Sequence, residues 1–156
     1  ESTSISDWSS LSALDLTQLI ASNSNFDDLS HISHMDNLVY LYLDNSYVVD
    51  WADLVNFNLV DFYTNGNFYF DDLSLLANSP NLQYLGISGT GVSDFSDLAN
   101  YQLYRLDASD TDFSDLSLLT NSASTLFELD ISNSAVVDIS SLTSLKLILT
   151  QTEAKR

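Results

Sequence analysis

Apolar residues recur along this chain in two short blocks that alternate almost from end to end. The first block is an aspartate, an apolar residue, Ser or Ala, any residue, then Leu or Ile, as in Asp7-Trp8-Ser9-Ser10-Leu11 and Asp50-Trp51-Ala52-Asp53-Leu54. Its aspartates are Asp7, Asp28, Asp50, Asp72, Asp94, Asp115 and Asp138, separated by 21, 22, 22, 22, 21 and 23 residues. The second block is Leu-x-x-Leu-x-(apolar or small). It reads Leu16-Leu19-Ala21, Leu38-Leu41-Leu43, Leu59-Phe62-Thr64, Leu82-Leu85-Ile87, Leu103-Leu106-Ala108 and Leu126-Leu129-Ile131. The fourth and sixth positions of this block flank one exposed residue, which is the period of a short strand with one buried face. A turn follows, such as Asp44-Asn45-Ser46 or Ser88-Gly89-Thr90, and then one more apolar residue: Phe26, Val48, Phe70, Val92, Phe113 or Val136.

A fixed period near 22 residues marks a stacked repeat, because no single unit of that size can bury its own apolar face. The combined pattern resembles the leucine-rich repeat. The aspartate-apolar-serine block, in segments such as Gly89-Thr90-Gly91-Val92-Ser93-Asp94-Phe95-Ser96, is similar to the internalin-type repeats of Gram-positive bacterial surface proteins. The resemblance covers roughly residues 5 to 150. It implies an α/β fold: a right-handed solenoid with short parallel strands on its concave face and 3₁₀ or short helical turns on its convex face. Links such as Ala77-Asn78-Ser79-Pro80-Asn81 leave no room for long convex helices. The whole chain, 1–156, reads as one domain of about seven turns and as a piece of a larger surface protein. One position departs from the family: the ninth-position Asn survives only as Asn67, replaced elsewhere by Ser24, Ser46, Thr90, Thr111 and Ser134. A hydroxyl can bond to backbone groups, so a Ser/Thr ladder between neighbouring turns is expected in its place.

Charge narrows the partners. Four Lys and Arg stand against 22 Asp and Glu, a formal net charge of −18. Such a surface repels phosphate backbones and anionic headgroups, which argues against nucleic acid and membrane surfaces and for a basic or neutral partner. No apolar run approaches the roughly 20 residues that span a bilayer, so direct membrane insertion is not expected. With no cysteine, disulfides, thiolate metal sites and cysteine nucleophiles are excluded. The scarcity of Lys and Glu beside abundant Ser, Thr and Asn suits an exported bacterial protein. Glu1-Ser2-Thr3-Ser4 lacks the basic and apolar regions of a signal peptide, so if the protein is secreted its signal is expected to have been removed or to lie outside this sequence.

Several residues look chemical and have plainer readings. Seven regularly spaced carboxylates suggest calcium, and Asp110-Thr111-Asp112-Phe113-Ser114-Asp115 resembles part of a calcium loop, but the loop lacks the required glycine and distal Glu. Each repeat aspartate precedes an apolar-Ser-x-Leu turn, where its oxygen can cap free amides; Asp7, Asp28, Asp50, Asp72, Asp94, Asp115 and Asp138 are therefore read as structural caps. His31 and His34 have no third ligand at matching spacing and read as convex surface residues. Neither Asp27-Asp28 nor Asp71-Asp72 forms a catalytic pair, and no Gly-x-Ser-x-Gly elbow activates a serine. Trp8 and Trp51 share one repeat position and are expected in the core. No catalytic residue, metal or cofactor is expected.

The exposed concave positions are the second, third, fifth, seventh and eighth of each turn, counted from its first Leu. They carry the aromatics Tyr40, Tyr42, Tyr63, Tyr84, Tyr104 and Phe127. With strands about 4.8 Å apart, these six are expected to form a continuous band across five turns. A band of this kind marks a contact surface, and Tyr is favoured there for its area and polar tip; the plainer reading is that aromatics simply suit a sheet face. Acidic Asp44, Asp61, Asp107, Glu128 and Asp130 interleave with the band, and Arg105 should pair with Glu128 one strand away. The function expected is non-catalytic recognition at the bacterial cell surface by a monomer. Its ligand would be a protein receptor, as the resemblance implies, or a glycoconjugate. A structural spacer without a ligand is the remaining alternative.

Overall fold

The computed structural model describes Ile5, residues 7–140 and the backbone of Ile148–Thr150. Seven three-residue strands, β1 (Gln18–Ile20), β2 (Tyr40–Tyr42), β3 (Asp61–Tyr63), β4 (Tyr84–Gly86), β5 (Arg105–Asp107), β6 (Glu128–Asp130) and β7 (Ile148–Thr150), pair in parallel and in chain order. The register is residue for residue in the repeat, with Leu19, Leu41, Phe62, Leu85, Leu106 and Leu129 aligned across β1 to β6. All six of these side chains are buried, as the fourth position of the pattern requires. Short 3₁₀ segments, Ser9–Ala13, Leu29–His31, Ala52–Asn56, Leu73–Leu76, Ser96–Asn100 and Leu116–Ser122, form the convex side.

The strands stop after three residues because the chain must turn before the next apolar position. The eighth residue of each turn adopts positive φ: Asn23, Asn45, Gly66, Gly89, Asp110 and Asn133 lie between 50° and 77°. Only Gly, Asn and Asp occur there, the residue types that enter this region most cheaply. The amides of the first five donate to the seventh-position carbonyl of the following turn, from Asn23 to Asp44 (2.7 Å) through Asp110 to Ser132 (2.9 Å). Each repeat aspartate then takes the backbone amide two residues on, at 2.8–3.0 Å in all seven cases.

Two kinds of turn alternate. In one, the aspartate precedes a large residue (Trp8, Trp51 or Phe95) and the next strand's first Leu lies nine residues on, as from Asp50 to Leu59. In the other, it precedes Leu29, Leu73 or Leu116 and the link is ten or eleven residues, as from Asp72 to Leu82. The aromatic of each first-kind turn meets edge-on the Phe that opens the next: Trp8 on Phe26 at 5.3 Å, Trp51 on Phe70 at 5.2 Å and Phe95 on Phe113 at 5.2 Å. Val48 and Val92 occupy the intervening equivalent positions. Large aromatic residues thus meet at every second interface between turns, with Val at the equivalent position of the others. The true packing unit is thus a pair of turns, 43 or 44 residues long from Asp7 to Asp50 or from Asp50 to Asp94.

Two expectations need correction. Trp51 is buried, but Trp8 is only half-buried, and its indole N–H donates to Asn25 Oδ1 at 3.1 Å. The ninth-position hydroxyls form no continuous ladder between turns: Ser46 donates to Asn67 Oδ1 in the next turn at 3.3 Å, but the others turn inward. Ser24, Thr90 and Thr111 donate to carbonyls three residues back in their own turns, at 2.6–2.7 Å. The Asn67 amide reaches across a turn as well, to the Leu43 carbonyl at 2.8 Å. Turns are also tied on the convex side. Buried Ser79 accepts the Leu59 amide at 2.8 Å and donates to the Phe57 carbonyl, and Ser122 does the same between Leu103 and Tyr101.

Candidate functional site

The sheet presents two side-chain rows to solvent. The third-position row reads Gln18, Tyr40, Asp61, Tyr84, Arg105, Glu128, and the fifth-position row reads Ile20, Tyr42, Tyr63, Gly86, Asp107, Asp130. The aromatics do not form one continuous band. Tyr42 and Tyr63 stack nearly parallel, centroids 5.4 Å apart and planes at 20°. Tyr84, Tyr104 and Phe127 form a second cluster, with centroids 5.9, 6.5 and 6.4 Å apart. The division is positional: Tyr42 and Tyr63 sit at the C-terminal ends of their strands, Tyr104 and Phe127 just before theirs. Tyr40, exposed at the other end of the third-position row, joins neither cluster.

Gly86 ends the first cluster. A Cβ on this residue would lie 2.5 Å from Tyr63 Cδ1, so the tyrosine ring rests on the glycine backbone. A glycine inside a strand often marks such a close approach, and that was the readable signal for it. Arg105 sits beside Tyr84 in the register and reaches the first cluster. Its guanidinium carbon stands 5.8 Å from the Tyr63 ring centroid, while Nη2 lies 3.2 Å from Glu128 Oε1. Both charged partners are partly exposed, so this pair adds at most about 1 kcal/mol. Burial, partly offset by Arg105, raises the Tyr63 phenol above its ordinary pKa.

The carboxylates of this face already hold hydrogen bonds. Asp44 accepts from the Asn65 amide at 2.9 Å and from Ser22 Oγ at 3.1 Å. Asp107 accepts from the amide and hydroxyl of Ser109, and Asp130 from those of Ser132. Asp61 accepts the Tyr42 hydroxyl at 2.8 Å through Oδ2, while its buried Oδ1 has no partner among the described residues. Burial therefore raises the Asp61 carboxyl above its usual range despite that bond, and burial followed by the bond to Asp61 raises Tyr42.

Elsewhere, His34 Nε2 lies 3.0 Å from the Leu14 carbonyl. Among the described residues no three His, Asp or Glu side chains converge as a metal site. Sequence reasoning missed a set of rings off the sheet: Tyr47, Phe68 and Tyr69 are more exposed than any concave aromatic. Their signal was two consecutive aromatics placed just ahead of the buried Phe70.

No family model and no curated protein matches this sequence. Solved structures do. Internalin C2 of Listeria monocytogenes is similar with a TM-score of 0.66 and 24% identity, over 91% of this chain and 74% of that one. The internalin inlF of the same organism is similar with a TM-score of 0.66 and 27% identity, over 94% of this chain and 46% of that one. This chain thus spans less than half the length of the inlF chain. Strand order, positive-φ turns and these neighbours agree: the chain is an internalin-like leucine-rich-repeat solenoid.

Proposed function

We propose that this chain is the recognition region of a larger exported bacterial surface protein, and that its concave face binds a partner protein. The observation that carries the reading is the open sheet face, where two aromatic clusters flank Arg105 and no segment of the described chain covers them. Tyr and Arg near the centre of a surface are the side chains in which interface energy concentrates. The internalin neighbours support a protein-interaction repeat without catalytic chemistry. The net charge of −18 favours a partner that is basic or neutral and disfavours a second copy, so a monomer at the cell surface is the acting form.

Tyr84, Tyr104 and Phe127 each touch the other two. Tyr84→Ala, Tyr104→Ala and Tyr63→Ala should each weaken a partner drawn from host surface proteins by roughly 1–2 kcal/mol or more. The convex His31→Ala variant should bind as the unaltered chain does. If His31→Ala lost binding and the tyrosine variants kept it, the concave reading would be wrong. A second reading, a neutral glycoconjugate, is favoured by one feature: Tyr104 borders a cleft lined by the amides of Asn81, Gln83, Asn100, Gln102 and Asn121. Uncharged groups that both donate and accept beside an aromatic ring suit sugar hydroxyls. A glycan array that gave binders sensitive to Gln102→Ala and Tyr104→Ala would favour it.

A further inference from the structure

Four large apolar side chains stand together on the flank where the strands run out into turns: Phe68 is 73% exposed, Tyr47 69%, Tyr69 64% and Val49 62%. Single exposed apolar residues are ordinary, but a contiguous group of this size on a charged protein is not. A gap in the stacking brings them together. Along this flank, backbone bonds tie Tyr47 to Phe26, Gly91 to Phe70 and Ala135 to Phe113, at 2.8–2.9 Å. These join the first turn to the second, the third to the fourth and the fifth to the sixth. Between the second and third turns, and between the fourth and fifth, no equivalent bond forms among the described residues, and a cleft opens at each place. This is the alternation of turn types expressed on the flank.

The two clefts differ in chemistry. The first, about 200 Å³, lies between Ser46–Val49 and Gly66–Tyr69 and is walled by the apolar group. The second, about 370 Å³, lies between Thr90–Ser93 and Asp110–Asp112. Asp110 and Asp112 are exposed in it. Phe68 lines both clefts and forms the ridge between them. The one Lys or Arg among residues 7–140 is Arg105, on the concave sheet, so no Lys or Arg of those residues neutralises this flank. A second copy of the chain would bring a further −18 charge against it and is a poor occupant.

We propose that the flank docks an extended segment of a partner protein, with an apolar side chain in the first cleft and a Lys or Arg side chain in the second. The clefts are two turns apart, about 10 Å at the strand spacing, which an extended chain covers in about three residues. The segment recognised therefore carries its apolar and basic residues about three positions apart. This surface is separate from the concave face and does not depend on that face binding anything.

The test uses a phage-displayed library of random peptides selected on the intact chain. Enriched peptides should share an apolar residue and a basic residue about three positions apart. Phe68→Ser and Tyr47→Ser, both at exposed positions, should each weaken the enriched peptides by about tenfold or more, with melting curves confirming that the variants are folded. The pair Asp110→Asn and Asp112→Asn should weaken them too and flatten their salt dependence; Asn also tolerates the positive φ of 53° at residue 110. Tyr84→Ser should leave them unchanged, which separates this surface from the concave one. Failure to enrich any peptide, an acidic consensus, or peptides that ignore Phe68 and depend on Tyr84 would overturn the proposal. Binding of neutral oligosaccharides lost on Phe68→Ser would overturn it as well, by making the flank a sugar site.

Discussion

Gly86→Ala is the perturbation that most directly tests how the concave site is held. The glycine is in ordinary strand conformation, so alanine should fit the backbone and gain about 0.4–1 kcal/mol by restricting the unfolded chain. Its Cβ would nevertheless lie 2.5 Å from Tyr63 Cδ1 and 2.9–3.0 Å from the side-chain amide of Asn65. Asn65 cannot swing away freely, because its Oδ1 accepts the Ser88 amide at 2.7 Å. The tyrosine ring must lift instead. Lifting it breaks the stack with Tyr42, worth about 0.5–1.5 kcal/mol, and the Arg105 contact, worth about 0.5–1 kcal/mol at an exposed site. The losses outweigh the gain, and the variant should be destabilised by about 1 kcal/mol, or about 2–4 °C in melting temperature for a chain of this length. Urea denaturation measures it, and a double-mutant cycle assigns it. In a Tyr63→Ala background the cost of Gly86→Ala should shrink to what the closer approach to Asn65 leaves. An undiminished cost without the Tyr63 ring, or a stabilisation in the unaltered chain, would refute the reasoning.

Ser79→Ala should cost about 1–3 kcal/mol, because it leaves the buried Leu59 amide without an acceptor; exposed Ser93→Ala, measured beside it in urea, should be nearly silent. Asp28 and Asp115 are held below the ordinary carboxylate range by the hydroxyls and amides of Ser30 and Ser117, and Asp94 by the amide and hydroxyl of Ser96. Groups with a lowered folded pKa add stability above the unfolded value near 4 and lose it as pH falls through the folded one. Urea midpoints should therefore drop below about pH 4, less steeply in Asp94→Asn; an unchanged slope would contradict the caps. Asp61 runs the other way: its raised pKa means that ionisation opposes folding above that pKa and not below the unfolded value. Asp61→Asn should thus stabilise at pH 7 by more than the exposed control Asp27→Asn, with the excess vanishing in acid. Equal gains for the two variants at both pH values would count against the buried, unpartnered oxygen.

Much of this fold is legible in one dimension. The spacing of the aspartates sets the number of turns, and Leu-x-x-Leu-x-Leu places β1 through β6 in register without any knowledge of their neighbours. The reason is the nature of a solenoid, in which each turn contacts only the turns beside it, so local pattern and global structure coincide. The caps follow by the same logic, since an aspartate and the amide two residues on are neighbours in sequence before they are neighbours in space. The alternation of Trp8, Trp51 and Phe95 with Leu29, Leu73 and Leu116 was also in the letters, but its meaning needed the contacts with Phe26, Phe70 and Phe113.

The candidate site was legible only in part, because a repeat position says which face a side chain is on and not which side chain it meets. Tyr63 and Tyr84 share the concave face, yet the first turns onto Gly86 and towards Arg105 while the second packs on Tyr104 and Phe127. The carboxylates of Asp44, Asp107 and Asp130 are committed to serine and asparagine groups two residues or one turn away. The flank clefts were invisible for a related reason. They exist where a backbone bond between coils is missing, and that depends on how unequal links stack in three dimensions. The 22-residue period determined the solenoid and the facing of its residues; the tertiary structure alone decided which of them touch, because contacts between coils run across the repeat and not along it.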